Sequence, residues 1–174
     1  VRLDKVAKGT FYFDHSAGAD LAAKYEVRTV DGAGNTSEFA VAAGPAAKPS
    51  RVYDDADLKL VGHWTRSKEL QPAHAGTVSE TNQKGATAEL SFEGKSVLVF
   101  AKLGANCGKA SVQIDGGPAE TVDTYSADDI WGVCVYRKEI ATAGPHRLTI
   151  TVTGQRGPRA KDAAIVIDGV RIAP

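Results

Sequence analysis

Apolar and polar side chains alternate along most of this chain with a period of two, and no stretch carries the three-to-four spacing of an amphipathic helix. The cleanest case is 146–153, where Leu148, Ile150 and Val152 fall on one face and Arg147, Thr149, Thr151 and Thr153 on the other. That pattern predicts a strand with one wet face. Residues 96–101, Ser-Val-Leu-Val-Phe-Ala, are apolar on both faces, which predicts a central strand covered on both sides. Further strands are predicted at 88–92, 96–103, 110–115, 119–122, 132–140, 146–154 and 163–172, divided by Glu93-Gly94, Asp115-Gly-Gly-Pro118, Ala143-Gly-Pro145 and Gly154-Gln-Arg-Gly-Pro158. The class this predicts is all-β, an antiparallel sandwich or jelly roll.

The N-terminal part has its own texture. After Phe11–Phe13, the run 25–31 alternates Tyr25, Val27 and Thr29 against Glu26, Arg28 and Val30. The turn cluster Gly32-Ala-Gly-Asn-Thr-Ser37 and a second short strand to Ala43 complete a predicted hairpin. Residues 44–50, Gly-Pro-Ala-Ala-Lys-Pro-Ser, hold two prolines and no large apolar side chain, the composition of an extended spacer. The expected organisation is a partial β segment over 1–43, a linker over 44–50 and a sandwich over 51–174. The first segment, with "G-T-F-Y-F-D" followed by "Y-E-V-R-T-V-D-G-A-G-N-T-S", resembles the second half of a fibronectin type III domain. The resemblance implies that Tyr25 is the buried corner tyrosine and that Gly34-Asn35 shapes the last turn. The missing strands are then expected upstream or on a separate chain.

Charge narrows the partners. The 174 residues carry 21 basic and 21 acidic side chains, so the clustered excess of Lys and Arg that nucleic acids and anionic membranes require is lacking. No run approaches the ~20 apolar residues of a membrane span. The chain contains no methionine and begins at Val1, which leads to the expectation that it is a piece of something longer.

Catalytic signatures are sparse. There is no Gly-x-Ser-x-Gly elbow, and His15, His63, His74 and His146 fall in separate segments. The run Gly104-Ala-Asn-Cys-Gly-Lys-Ala110 is one residue short of a phosphate loop and lacks its terminal hydroxyl, so it reads as a glycine-rich hairpin loop. Cys107 and Cys134, the two cysteines, permit one bridge between loops of a binding face; the alternative is two buried thiols. If the first and last strands of the sandwich are neighbours, Asp54, Asp55, Asp57 and Asp168 converge, either as oxygen ligands for Ca²⁺ or as strand-end caps.

Aromatic residues supply the remaining signal. Trp131 follows Asp128-Asp129-Ile130, Tyr125 lies just upstream, and Asn106 sits in the glycine-rich loop. Indole and phenol rings stack on the C–H faces of sugars while Asp, Asn and Arg bond the hydroxyls, so Trp131, Tyr125, Asp128, Asp129 and Asn106 form a candidate carbohydrate site. Trp64 with Arg66 is a second candidate rim, the alternative being that Trp64 is the core aromatic of an edge strand.

Residues 51–174 resemble the jelly-roll accessory domains, or carbohydrate-binding modules, of secreted bacterial glycoside hydrolases and polysaccharide lyases. The residues that carry this are "Y-D-D-A-D", "G-H-W", "G-A-T-A-E-L-S-F-E-G-K-S-V-L-V-F", "N-C-G-K-A-S-V-Q-I-D-G", "T-V-D-T-Y-S", "G-P-H-R-L-T-I-T-V-T-G" and "V-I-D-G-V-R-I". The resemblance implies a non-catalytic, polysaccharide-binding module that is secreted or displayed on a bacterial surface, with the catalytic domain upstream or on a separate chain. It also implies a structural calcium at Asp54, Asp55 and Asp168. A structural module packed on the catalytic part without a ligand, and a fragment of a surface adhesin, are the alternatives.

Overall fold

A computed structural model describes residues 24–27, 33–35, 37–38, 40–43, 50–68 and 73–174, with 24–27 and 40–43 described as backbone. The predicted strand at Phe11–Phe13 and the side chain of Tyr25 lie outside these. Strands β1 (Lys24–Val27) and β2 (Ala40–Ala43) pair antiparallel, Lys24 opposite Ala43 and Val27 opposite Ala40. The two short segments predicted as strands on either side of the turn cluster are thus paired over these residues, while 28–32 and 36 lie outside the described part.

The rest is one antiparallel sheet of nine strands curled on itself into a sandwich. β3 (Arg51–Asp54), a 3₁₀ turn at Asp55–Asp57, β4 (Lys59–Val61), β5 (Thr65–Ser67), a 3₁₀ turn at His74–Gly76 and β6 (Val78–Thr81) open it. β7 (Thr87–Leu103), β8 (Lys109–Ile114), β9 (Glu120–Asp123), β10 (Ile130–Val152) and β11 (Ile165–Ala173) follow. The order is β5-β6-β11-β7-β10-β8-β9, with β3 added on β11 and β4 on β7.

Two of these strands make the sandwich. The predicted strands at 88–92 and 96–103 are one strand, β7, and those at 132–140 and 146–154 are one strand, β10. The turn chemistry at Glu93-Gly94 and Ala143-Gly-Pro145 bends each strand between the layers rather than ending it. Gly94 stands opposite Gly144 there, after a register shift between Glu139 and Gly144. A Cβ on Gly94 would lie 2.5 Å from Ile172 Cγ2 and 2.7 Å from the Ala173 carbonyl oxygen, so only glycine lets the bend meet β11.

Alternation then fills the interior. Ala88, Leu90, Phe92, Val97 and Val99 of β7 meet Leu148, Ile150 and Val152 of β10, Val112 of β8, and Ile165, Ile167, Val170 and Ile172 of β11. Each large side chain buried in this way contributes roughly 1.5–3 kcal/mol. The wet face predicted for 146–153 and the central position predicted for 96–101 are both found: β7 is flanked by β11 and β10. Val166 stands between two core isoleucines, so it faces the other side of β11 and joins a smaller outer cluster with Val78 and Cys107.

Candidate functional site

The end of the sandwich that carries the predicted aromatics is built from three loops tied by backbone hydrogen bonds. In the tight turn after β7, Cys107 N–H donates to the Gly104 carbonyl (3.1 Å) and strand β8 follows, so this glycine run is a loop and opens no helix. Gly104 N–H donates to the Thr124 carbonyl (3.2 Å), and Ser126 N–H donates back to Gly104 (3.2 Å). The segment before β11 is stitched on as well, with Ala164 N–H on the Asn106 carbonyl (3.1 Å) and Lys161 N–H on that of Ala105 (2.8 Å).

Onto this frame the structure brings Tyr125, Asp129, Trp131 and Asn106. Tyr125 forms a β-bridge to Gly104, and a Cβ on Gly104 would lie 2.6 Å from Asp129 Oδ1. Glycine here is what allows the 124–129 loop to lie against the turn. Asp128 and Asn106 are exposed, and Asp128 N–H donates to Ser126 Oγ (3.3 Å). Trp131 is half-buried, its inner side packed on the outer cluster of Val78, Cys107 and Val166.

Two cations that the sequence did not point to complete the arrangement. Lys102 Nζ is 2.8 Å from Asp129 Oδ2 and 5.0 Å from the centroid of the Trp131 ring, one ammonium serving a carboxylate and an indole face together. Arg159 Cζ lies 5.8 Å from the centroid of the Tyr125 ring. Lys102 is the last outward residue before the glycine turn, yet its meeting with Trp131 depends on the pairing of β7 with β10, which no local pattern encodes. The result is a rim of two aromatic rings, each beside a cation, with Asp128, Asp129 and Asn106 around them. Such a surface can hydrogen-bond sugar hydroxyls and stack on a sugar ring over the part of each aromatic that its cation and the outer cluster leave open.

The second candidate rim is built otherwise. Trp64 packs against the main core and its Nε1 donates to the Val61 carbonyl (3.2 Å). Arg66 reaches inward: Nε is 2.9 Å from Asp55 Oδ2 and Nη2 is 3.2 Å from the Asp55 carbonyl.

The predicted convergence of Asp54, Asp55 and Asp168 is present at the meeting of β3, β6 and β11. Asp55 is fully buried, and its carboxylate also accepts from Ser79 Oγ and Thr77 Oγ1, both at 2.5 Å. Asp54 Oδ2 lies 2.9 Å from the same Thr77 hydroxyl, and Asp168 Oδ1 accepts from His74 N–H (2.7 Å). Asp54 Oδ1 and Asp168 Oδ2 are buried without a hydrogen-bond partner. These two orphaned oxygens favour a cation, but Ca²⁺ takes six to eight oxygens and both oxygens of Asp55 are already bonded, one to a guanidinium. Among the described residues no three His, Cys, Asp or Glu side chains are placed to hold a metal ion. The residues do not fit a calcium shell. Burial instead pushes the Asp168 carboxyl up to about 6, with Asp54 and Asp55 adding to the shift, so a proton on Asp168 relieves the crowding.

The bridge expected between Cys107 and Cys134 is not made; both are free thiols. Cys107 is held by its pairing with Ala164, while Cys134 lies on β10 opposite Phe100 with its thiol donating to the Tyr136 carbonyl (3.4 Å). Burial pushes the Cys107 thiol up to about 11 despite the nearby Lys102 ammonium, and raises Cys134 as well. Of the alternative reading, two buried thiols, the structure shows two free thiols, Cys107 buried and Cys134 half-buried.

The proteins to which this chain is similar include carbohydrate-active enzymes. No protein-family profile matches the chain. An A type blood N-acetyl-alpha-D-galactosamine deacetylase of Flavonifractor plautii is 33% identical over 108 residues, 58% of this chain and 14% of that protein. An A type blood alpha-D-galactosamine galactosaminidase of the same organism is 26% identical over 110 residues, 60% of this chain and 10% of that protein. The chain thus spans about a seventh and a tenth of the curated relatives it matches. Among solved structures, a Paenibacillus xanthan lyase superposes with a TM-score of 0.56 at 13% identity, covering 92% of this chain and 19% of that one. A two-domain esterase active on acetylated mannans gives 0.55 at 16% identity over 73% of this chain and 36% of its own. These two show the same fold.

Proposed function

We propose that this chain is a non-catalytic carbohydrate-binding module of a larger, secreted bacterial glycan-degrading enzyme, with the catalytic part elsewhere in the protein. The observation that carries the reading is that the chain matches only a seventh and a tenth of two enzymes that act on amino-sugar glycans. A short segment shared by a deacetylase and a galactosaminidase, which perform different chemistry, is better explained by a common sugar-holding role than by either reaction. The loop end supports this, since Tyr125, Asp128, Asp129, Trp131 and Asn106 converge there with Lys102 and Arg159. Such a module raises the local concentration of substrate and leaves the reaction barrier alone. The N-terminal ribbon and proline-bearing linker fit a fibronectin-like spacer between module and catalytic part.

The half-burial of Trp131 favours one second reading, in which the loop end packs on the catalytic domain and holds no sugar. A glycan array probed with the 174-residue chain separates the two. Binding to galactosamine-type or related glycans, weakened about tenfold in Trp131→Ala and Tyr125→Ala, is the expected result. A folded chain that binds no glycan would overturn the module reading.

A further inference from the structure

A groove of about 370 Å³ runs along the β3–β4 edge of the sandwich, far in sequence from the loop end, and is walled by Arg51, Tyr53, Lys59, Glu89, Ser91 and Arg147. Its size is within the ~300–1,000 Å³ of small-ligand sites. The strand period explains the lining. Leu90 and Leu148 point into the core, so Glu89, Ser91 and Arg147 stand on the outer surface. Strand pairing then sets Lys59 opposite Glu89 and Arg147 opposite Ser91.

The charges of the groove are unequally matched. Glu89 is spent on Lys59, at 3.2 Å. Asp57, the other acid on the wall, accepts the Asp54 N–H at 2.9 Å. Arg51 holds its guanidinium 4.5 Å from the centroid of the Tyr53 ring, which packs on the core, so an aromatic face steadies this exposed cation at the wall of the groove. Neither Arg51 nor Arg147 has a carboxylate partner among the described residues. The outward positions next to Arg147 along β10, Thr149 and Thr151, carry hydroxyls, so the two guanidinium groups open onto a polar surface.

We propose that this groove is a second saccharide site, one that takes the anionic group of an acidic sugar, a uronate carboxylate or a sulfate ester. Arg51 and Arg147 supply the planar donors and Ser91 a hydroxyl. Guanidinium groups suit both anions because their paired N–H donors match two oxygens at once. The charge recognition stands on the groove alone; the choice of a sugar as its carrier rests on the function proposed above.

The test is affinity electrophoresis of the 174-residue chain in native gels containing polygalacturonate, dextran sulfate or uncharged dextran, each read against a gel without polymer. The expected result is retardation by an anionic polymer that high salt abolishes, and none by dextran. Polygalacturonate acting alone identifies a carboxylate site, and dextran sulfate acting alone a sulfate site. Arg51→Gln/Arg147→Gln should weaken retardation at least tenfold, because each charged hydrogen bond lost is worth about a decade. Arg147→Gln, an exposed substitution, keeps the test readable should the double variant lose stability. Trp131→Ala should retain retardation while losing neutral glycans on the array, which separates failure of this site from failure of the loop end. Equal retardation of wild type and Arg147→Gln, or none by either polyanion, would overturn the proposal.

Discussion

Arg66→Gln isolates the role that the structure gives Arg66, which the sequence offered as a sugar contact. Asp55 has no exposed surface, and among the described residues Arg66 supplies the one full positive charge bonded to it, at 2.9 Å, beside the hydroxyls of Thr77 and Ser79. Glutamine preserves much of the side-chain length and removes the charge, leaving a buried carboxylate with hydroxyl donors only. Breaking a buried pair from one side is worth ~3–5 kcal/mol. Arg66 itself is 36% exposed, so water screens its side of the pair and the lower figure applies, about 2–3 kcal/mol. For a sandwich of this size that is a fall in Tm of about 8–12 °C. Urea and thermal melts measure it, and Asp55→Asn/Arg66→Gln should recover at least about 1 kcal/mol, since the two changes touch one interaction. Glycan affinity should stay unchanged once corrected for the folded fraction. Stability within about 0.5 kcal/mol of wild type, together with lost glycan binding, would refute the assignment and return Arg66 to the sugar rim.

Other predictions follow from the same side chains. Asp168, raised to about 6 by burial, favours folding in its protonated form; that contribution is complete below the unfolded carboxyl value and lost as pH rises through about 6. Urea melts should therefore show up to about 3 kcal/mol of stability lost from this residue between pH 4 and 7, and Asp168→Asn should remove that slope; an identical slope in the variant contradicts the reading. His146, raised by its hydrogen bond to Asp115, acts in the same direction, so His146→Gln should cost about 1 kcal/mol in urea melts at pH 5 and less at pH 8. Adding calcium or a chelator should move Tm by less than about 1 °C, because the residues at Asp55 are already satisfied; a calcium-dependent rise of several degrees would contradict this. Iodoacetamide at neutral pH should leave buried Cys107 unmodified in the folded protein, modify half-buried Cys134 slowly, and label both rapidly after unfolding, as their raised thiols and different burial require.

Local alternation carried most of the fold, because burial on a pleated strand has a period of two whatever the topology. It placed the strands of the second half of the sandwich and the interior residues Leu148, Ile150 and Val152. Two features escaped it. Glu93-Gly94 and Ala143-Gly-Pro145 have the composition of chain-reversing turns, yet the chain passes from one layer to the other there, and what decides between the two is the packing of Gly94 against Ile172. The short strands β4, β5 and β6 escaped as well: Val-Ser-Glu-Thr of β6, for example, has one large apolar residue, and its strand is fixed by pairing with β11. At the loop end the aromatic and acidic residues were legible as types suited to sugars. Lys102 was not, since its partners Asp129 and Trp131 reach it only through the β7–β10 pairing. The cysteines and aspartates show the same limit: composition permitted a bridge and a metal, whereas the three-dimensional arrangement leaves both thiols free and pairs Asp55 with the Arg66 guanidinium.

The central claim, that Trp131 and its neighbours hold a sugar, is tested most directly by tryptophan emission in Trp64→Phe, which leaves Trp131 as the single reporter. Addition of the best glycan from the array should shift the emission to the blue and protect it from acrylamide, with a titration midpoint equal to the Kd from calorimetry. A glycan that binds with unchanged emission and unchanged quenching would place the sugar away from Trp131 and contradict the account.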